Sequence, residues 1–338
     1  MTQRPAMTTH ANATGRRVGM RDVAALAGVS TQTVSRVIND HPNIRPATRA
    51  RVLEAMASIG YRINNAARAL GTATTRTLGV IASDAALYGP SAGIVALDGA
   101  ARAADRWIAT AYADAADADS VTTAVERLLT QGIDGIIVLA PHARTLELVR
   151  AAVPHVPVAA LHSALGAQRQ SEGAALAVDH LVSLGHRRIA RLSGPADWLE
   201  ASARDRGVDE ALARHGLDAG VCWEGDWRTV TGAQLAPDVA AAVRASGGPT
   251  AIVVANDQMA LGLIAGLDAA GIDVPSALSV TGFDDNPDAA YYRPALTTVR
   301  LDLVGEAHRA VAEALGLPQA ADPASPRLVT RASTAAPA

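Results

Sequence analysis

The sequence predicts two unlike parts: an all-α head followed by a short hinge segment, then an α/β body built as two doubly wound parallel-sheet lobes. Three observations point there. The chain has 338 residues, too many for one small core, and 49% of them are hydrophobic. From Met20 to Ile59 the apolar residues recur at helical spacing, whereas from Leu78 onward short apolar runs alternate with helical stretches. The charge is also lopsided. Residues 1–76 carry eleven arginines against Asp22, Asp40 and Glu54, while the chain as a whole is at −3. A basic head on an acidic body is the footprint of a polyanion-binding module joined to something that should not bind polyanions.

Composition excludes several classes. The N-terminus has no apolar h-region, so no secretory signal is expected. No stretch is apolar for long enough to span a membrane; the closest, PTAIVVANDQMALGLIAGL, is broken by Asn256 and Asp257. The single cysteine, Cys222, excludes a disulfide framework and a Cys-based metal site, and fits a reducing cytoplasm. Aromatic residues are only 3% of the chain, and Phe283 is the only phenylalanine, so Val, Ile, Leu and Ala must fill the cores. All thirty basic residues are arginine.

Taken in order, residues 1–17 read as a disordered tail and 18–63 as the helical head. Asp22 to Ala27 forms a short helix with Val23 and Leu26 inward, which Gly28 ends by taking a left-handed conformation. Ser30 then caps a second helix, Thr31 to Ile38, with Val34, Val37 and Ile38 as its apolar stripe. A third begins near Pro46 and presents Val52, Leu53, Met56 and Ile59 before Gly60. The second helix leaves Thr31, Gln32, Ser35, Arg36 and Asn39 outside. Gln32 and Arg36, four apart, point the same way; Gln can pair bidentately with adenine and Arg with guanine in a major groove, while Ser30, Thr33 and Asn39 can reach phosphates. A solvated helix face is the plain alternative, but the helix-turn-helix spacing and the basic surplus favour DNA. Asn43 and Thr48 complete the expected DNA-contacting set of the head. Residues 64–76 read as hinge and linker, in which Asn64 can cap a helix ending at Leu70, far shorter than a segment that is helical alone in water.

These stretches, RDVAALAGVSTQTVSRVIN followed by PATRARVLEAMASIGYRIN, resemble the DNA-binding head of the lactose-repressor family of bacterial regulators, and the similarity extends over nearly the whole chain. The resemblance implies that Thr31, Gln32 and Arg36 read bases. It also implies that the hinge helix, with Asn64 and Arg68, folds only on operator DNA, where Leu70 wedges between base pairs in the minor groove. Ile63 departs from it, standing where the family usually has proline.

In the body, LGVIA, IATAYA, GIIVLA and VPVAAL, then RIARLS, GVCWEGDW, TAIVVAN and LSVTGFDD, read as strands with helices between them. Two such series make two lobes with a cleft at the carboxyl ends of their strands. The resemblance implies a periplasmic-binding-protein-like body: one lobe from 77–172 and 301–322, the other from 173–300 and 323–333, crossings near Glu172, near Arg300 and near the C-terminus, and a frayed 334–338. Singly, Asn256 reads as an N-cap, Arg204 as a surface arginine and Trp227 as packing. Together, Arg204, Asn256 and Asp284 could fork onto vicinal hydroxyls while Trp227 covers a pyranose face. Each matches an effector-contacting position of the family, and SDAALYGPS resembles the corresponding first-lobe segment, adding Ser83 and Leu87. His162 stands where an acidic residue is expected; its different hydrogen bonds and pH-dependent charge argue against an unchanged galactoside specificity.

Enzyme readings fare poorly: there is no HExxH, CxxC or P-loop, and Cys222 has no evident base beside it, so no catalytic residue, metal or cofactor is expected. A sugar-binding transport protein would share the body but not the basic head. The expected protein is a cytoplasmic regulator, most simply a repressor, whose partners are pseudo-palindromic operator DNA, a mono- or disaccharide effector, and a second copy of itself. A non-sugar corepressor is the alternative. LGLPQAADPASPRLVTRASTAAPA lacks leucine heptads, so a dimer is expected rather than a coiled-coil tetramer, with the first lobe supplying most of its interface.

Overall fold

The computed structural model describes residues 18–39, 41–62, 74–139, 142–318 and 321–337. The tail of residues 1–17 and the hinge positions Ile63, Asn64, Arg68 and Leu70 lie outside the described residues. The chain divides between Thr75 and Arg76 into two compact units.

Among the described residues the first unit is three helices. α1 (Met20–Ala27) starts where the Asp22 carboxylate accepts the Gly19 N–H at 2.8 Å, and ends at Gly28, whose φ of 64° is the left-handed conformation a side chain would disfavour. α2 (Thr31–Ile38) is capped by Ser30, whose Oγ accepts the Thr33 N–H at 3.1 Å. α3 (Pro46–Ser58) opens on its proline. Val23, Ala24, Ala27, Val34, Val37, Val52, Ala55 and Met56 form the core. The expected inward leucines are a correction: Leu26 and Leu53 are 55% and 52% exposed. The buried stripe of α1 runs through Val23, Ala24 and Ala27, and that of α3 through Val52, Ala55 and Met56. Alanines there let three short helices approach closely and turn the leucines outward.

The second unit holds two sheets. β1 (Thr77–Ala82), β2 (Trp107–Tyr112), β3 (Gly135–Leu139) and β4 (Val158–Ala160) form a parallel sheet in the order β2-β1-β3-β4. Two cores flank it. α4 (Tyr88–Ala103) and α11 (Leu303–Ala314) cover one face through Leu97, Ala100, Ala307 and Val311. α5 (Ala118–Leu129) and α6 (Ala143–Ala152) cover the other through Val121, Val125, Leu146 and Val149.

In the second sheet, β5 (Ile189–Ser193), β6 (Cys222–Glu224), β7 (Ala251–Val254), β8 (Ser279–Phe283), β9 (Thr297–Arg300) and β10 (Arg327–Val329) run in the order β10-β9-β8-β7-β5-β6. All its pairings are parallel except β10 on β9. α9 (Thr229–Arg244) and α10 (Asp257–Ala269) close one face of this sheet, and α7 (Leu165–Ser183) and α8 (Leu199–Arg214) the other. Strands this apolar, buried on both faces, are what a helix-covered parallel sheet requires.

Two boundaries differ from expectation. Glu172 is no crossing point: it lies inside α7, where the guanidinium of Arg169 pairs with it at 2.6 Å. The chain crosses instead between the end of β4 and Leu165, where His162 and Ala164 adopt positive φ of 59° and 48°. It returns after β9, through Leu301 and Asp302 into α11. Nor are residues 334–337 frayed. The fully buried Ser333 donates to the Val280 carbonyl at 2.6 Å and accepts the Thr297 N–H at 2.8 Å, and the Ala335 carbonyl lies 2.8 Å from His186 Nε2. The tail fills hydrogen bonds that β8 and β9 would otherwise leave open.

Candidate functional site

On the head, Thr31, Gln32 and Arg36 are exposed on one side of α2, opposite Val34 and Val37. Ser30 and Thr33 bond to each other at 3.0 Å, and the Asn39 amide donates to Ser35 Oγ at 3.4 Å, so these four hold the ends of the helix as well as facing outward. Asn43 is exposed and Thr48 half-buried. Arg49 has a structural role: its guanidinium reaches the carbonyls of Val37 and His41, where α2 ends and its dipole is negative. Arg21, Arg45 and Arg51 are exposed on this unit.

In the body, a cavity of about 380 Å³ opens between the carboxyl ends of the two sheets. Each residue reaches it from a strand-to-helix junction, the place where an open parallel sheet presents its ligand site. Leu87 is the residue before α4; Arg204 is on the second turn of α8; Trp227 follows β6; Asn256 caps α10; Asp284 ends β8; His162 sits in the crossing. Ser83 does not join them: it is buried under β1 in a separate small void with Val138 and Thr145. Trp227, Asp284 and His162 all have positive φ (72°, 106° and 59°), a clustering of backbone strain that is common where side chains are aimed at a ligand.

The polar groups form a connected set. Arg204 donates from Nε to Gln170 Oε1 at 2.7 Å, from Nη2 to Asp284 Oδ1 at 3.1 Å, and to the Ala255 carbonyl. Its guanidinium stacks 3.9 Å from the ring of Phe283 and 5.5 Å from that of Trp227. Asn256 caps Met259 N–H with its oxygen and donates its amide to the Trp227 carbonyl at 3.0 Å, so it fixes the turn that carries the indole. Gly194 explains itself in the same place: a Cβ there would lie 2.2 Å from the Trp227 ring. The turn after β5 is a seat for the indole.

Four buried polar atoms lining the cavity have no protein partner: His162 Nδ1, Gln170 Nε2, Glu200 Oε2 and Trp227 Nε1. Buried groups of this kind are normally bonded, and four of them lining one cavity leave donors and acceptors open to a ligand. Glu200, Gln170, Trp198 and Tyr88 were missed in the sequence; Glu200, one turn before Arg204 on α8, and Trp198 beside it were within reach of a helical-spacing argument. Burial, stronger than the backbone bond and the Arg204 charge that oppose it, pushes the Glu200 carboxyl up to about 7. Burial also raises Asp284 despite Arg204. His162 moves the other way, to about 3, through burial and then the repulsion of Arg204 and Arg309. That corrects the expected pH-dependent charge: at neutral pH this histidine is an uncharged hydrogen-bonding group.

The lobes touch across the mouth of the cavity. Tyr88 N–H donates to Gln258 Oε1 at 3.0 Å, and His142 Nδ1 lies 2.9 Å from Asp197 Oδ2, with its ring 4.8 Å from that of Trp198. Among the described residues no cluster of metal-ligating side chains occurs, and no helix is long and apolar enough to cross a membrane.

Residues 19–64 match the family model of bacterial regulatory proteins of the lacI family, and 178–334 match the periplasmic binding protein-like domain. The chain is 34% identical to the lactose operon repressor of Escherichia coli (strain K12) over 292 residues, 84% of this chain and 80% of that one. A crystal structure of the lac repressor dimer bound to operator and the anti-inducer ONPF superposes with a TM-score of 0.80 at 32% identity, covering 95% of this chain and all of that one. A transcriptional regulator CelR–cellobiose complex gives a TM-score of 0.64 at 25% identity, over 94% of this chain and 100% of that one.

Proposed function

Because the chain belongs to the lacI family of bacterial regulatory proteins, a family of DNA-binding transcriptional regulators and not enzymes, we propose that it is a homodimeric repressor whose grip on a pseudo-palindromic operator is set by a sugar held between its two lobes. The observation that carries this reading is the cavity at the strand ends, with its bonded Arg204–Asp284 pair, its buried indole and its four unpartnered polar atoms. Arg204, Asp284 and Asn256 keep spare donors and acceptors for hydroxyls, and Trp227 and Trp198 supply the flat apolar wall on which a pyranose stacks. On the head, Thr31, Gln32 and Arg36 would read base edges and Ser30, Thr33, Ser35, Asn39, Asn43 and Thr48 would fix the register on the backbone. Asn64, Arg68 and Leu70, outside the described residues, would reach the minor groove. The protein would act in the cytoplasm, at the nucleoid.

Coupling follows from geometry. A ligand that reaches the second lobe's orphan atoms and also Leu87 and Tyr88 of the first lobe favours the closed pair, and closure would change the separation of any two hinges that emerge from a dimer. Linkage makes this reciprocal: the sugar weakens operator binding by the factor with which operator weakens sugar binding, typically about 1 to 3 kcal/mol. The test is a thermal-shift screen of mono- and disaccharides, β-galactosides first, on the parent chain and on Trp227→Leu, followed by operator binding with and without each hit. A hit should raise the melting temperature of the parent alone and change its operator affinity. Hits that act equally on both proteins would refute the cavity as the effector site.

A further inference from the structure

Resting on that reading of the cavity, the structure points to the class of sugar. We propose that the effector carries a basic nitrogen, an amino-substituted sugar whose ammonium is held by Glu200 in the cavity that Trp198 and Trp227 also line. Three observations meet here. Glu200 is only 5% exposed, lines the cavity, and has one carboxylate oxygen with no partner. An acid in the first turn of a helix is ordinary, but it is ordinarily solvated or capping; this one caps nothing beyond its own backbone.

The cations of the cavity are already matched. Arg204 pairs with Asp284, and Arg300 pairs with Asp285, which Arg331 also binds. Asp302 accepts the N–H groups of Gly305 and Ala324. Four carboxyls thus line the cavity against two guanidiniums, and Glu200 is the one that no arginine hydrogen-bonds and that meets only its own backbone N–H.

The neighbouring wall is aromatic. Trp198 and Trp227 are 6% and 5% exposed and meet edge to face at 5.5 Å. An unpaired buried carboxylate beside two indoles is the environment that stabilises an ammonium, by charge and by the negative faces of the rings. Arg204 at 5.5 Å already uses the Trp227 face in this way. A neutral hydroxyl could satisfy the oxygen but would leave the charge unmatched.

Burial holds much of Glu200 protonated just below neutrality, so capture of an ammonium has a proton balance. The carboxyl releases its proton to solvent, the ligand keeps its own, and the ion pair forms. Calorimetry on the full chain would compare galactosamine with galactose, glucosamine with glucose and mannosamine with mannose, with the N-acetyl forms as uncharged controls. The expected result is that in at least one pair the amine binds on the order of tenfold more tightly, a difference an ion pair can supply. Its binding at pH 6 should release a proton, seen as a buffer-dependent heat. In E200Q both the advantage and the release should vanish while the hydroxyl sugar still binds; if that variant does not fold, the release measured on the parent chain decides. An amine advantage that survives E200Q overturns the assignment to Glu200. Hydroxyl sugars that bind as tightly as their amines overturn the amine but leave the cavity as a sugar site. No binding by any member overturns both.

Discussion

At the scale of single residues, the site depends on side chains whose positions are set by contacts rather than by their own chemistry. Gly194→Ala would press a methyl group into the Trp227 indole, and the strand end cannot yield without moving β5. It is expected to displace the indole, shift tryptophan fluorescence and weaken effector binding about tenfold or more, with operator affinity in the absence of ligand unchanged. The sign of the His162 effect is fixed by its depressed pKa. Between pH 6.5 and about 3 the unfolded chain takes up a proton that the folded chain refuses, so this residue's share of stability is complete above 6.5 and is lost as pH falls. His162→Gln should therefore flatten the acid side of the stability curve, by about 2 kcal/mol at pH 5 relative to pH 7.5. Urea melts of both proteins at the two pH values measure it, and equal acid losses would show that the ring is charged in the fold. On the head, Arg36→Ala should cost about 1 to 3 kcal/mol on the best operator and relax base preference, whereas Arg45→Ala should weaken all duplexes alike. Binding-site selection with randomised duplexes separates the two outcomes.

At the scale of elements, the periodic features were legible and the contextual ones were not. Gly28, Ser30 and Pro46 announce their helix ends because each acts through its own backbone or the next turn. The strand runs around β1, β3, β5, β7 and β8 are apolar enough to be read directly, since each is buried on both faces. Leu26 and Leu53 misled because hydrophobicity says nothing about which of two adjacent helical positions faces a neighbour. Glu200 and Gln170 were missed because an orphaned polar atom is a property of the cavity and not of its own neighbours in sequence. Arg204, Trp227, Asn256 and Asp284 were grouped by the chemistry a sugar needs and by the family resemblance, and the structure brings them to one cavity, but their bonds to one another could not be read in advance. The C-terminal tail is the largest miss, since TRASTAAPA has neither periodicity nor bulk. Ser333→Ala would leave the Val280 carbonyl and Thr297 N–H unpaired in the core, a loss of about 1 to 3 kcal/mol. A drop in melting temperature of several degrees checks it, and a drop no larger than that of an exposed serine variant would make the tail a passive appendage.

At the scale of the molecule, one basic reader on one half-site is weak and salt-sensitive, so sequence-specific control requires two readers held at a fixed spacing. On the proposed dimer reading the spacing would come from the body, and exposed apolar side chains of the first lobe are the candidates for its interface. Val95 on α4, Trp107 at the start of β2 and Tyr112 at its end are 72%, 61% and 62% exposed, and all belong to the first lobe. Exposed large apolar side chains are costly in a monomer and ordinary in a two-fold interface, where each copy covers its symmetry mate. Placing charges there tests the argument without touching either ligand site. The double substitution Val95→Arg and Trp107→Glu is expected to give a monomer by light scattering, with the melting transition of the body and the sugar affinity retained. Operator affinity should fall by a hundredfold or more, because two half-site contacts that were joined become independent, while affinity for random duplex falls far less. A variant that stays dimeric would move the interface to the second lobe, where Val230 and Tyr291 are 63% and 83% exposed. A monomer that still grips the operator at full strength would remove the two-fold reading altogether, and with it the route by which closure of the lobes reaches the DNA.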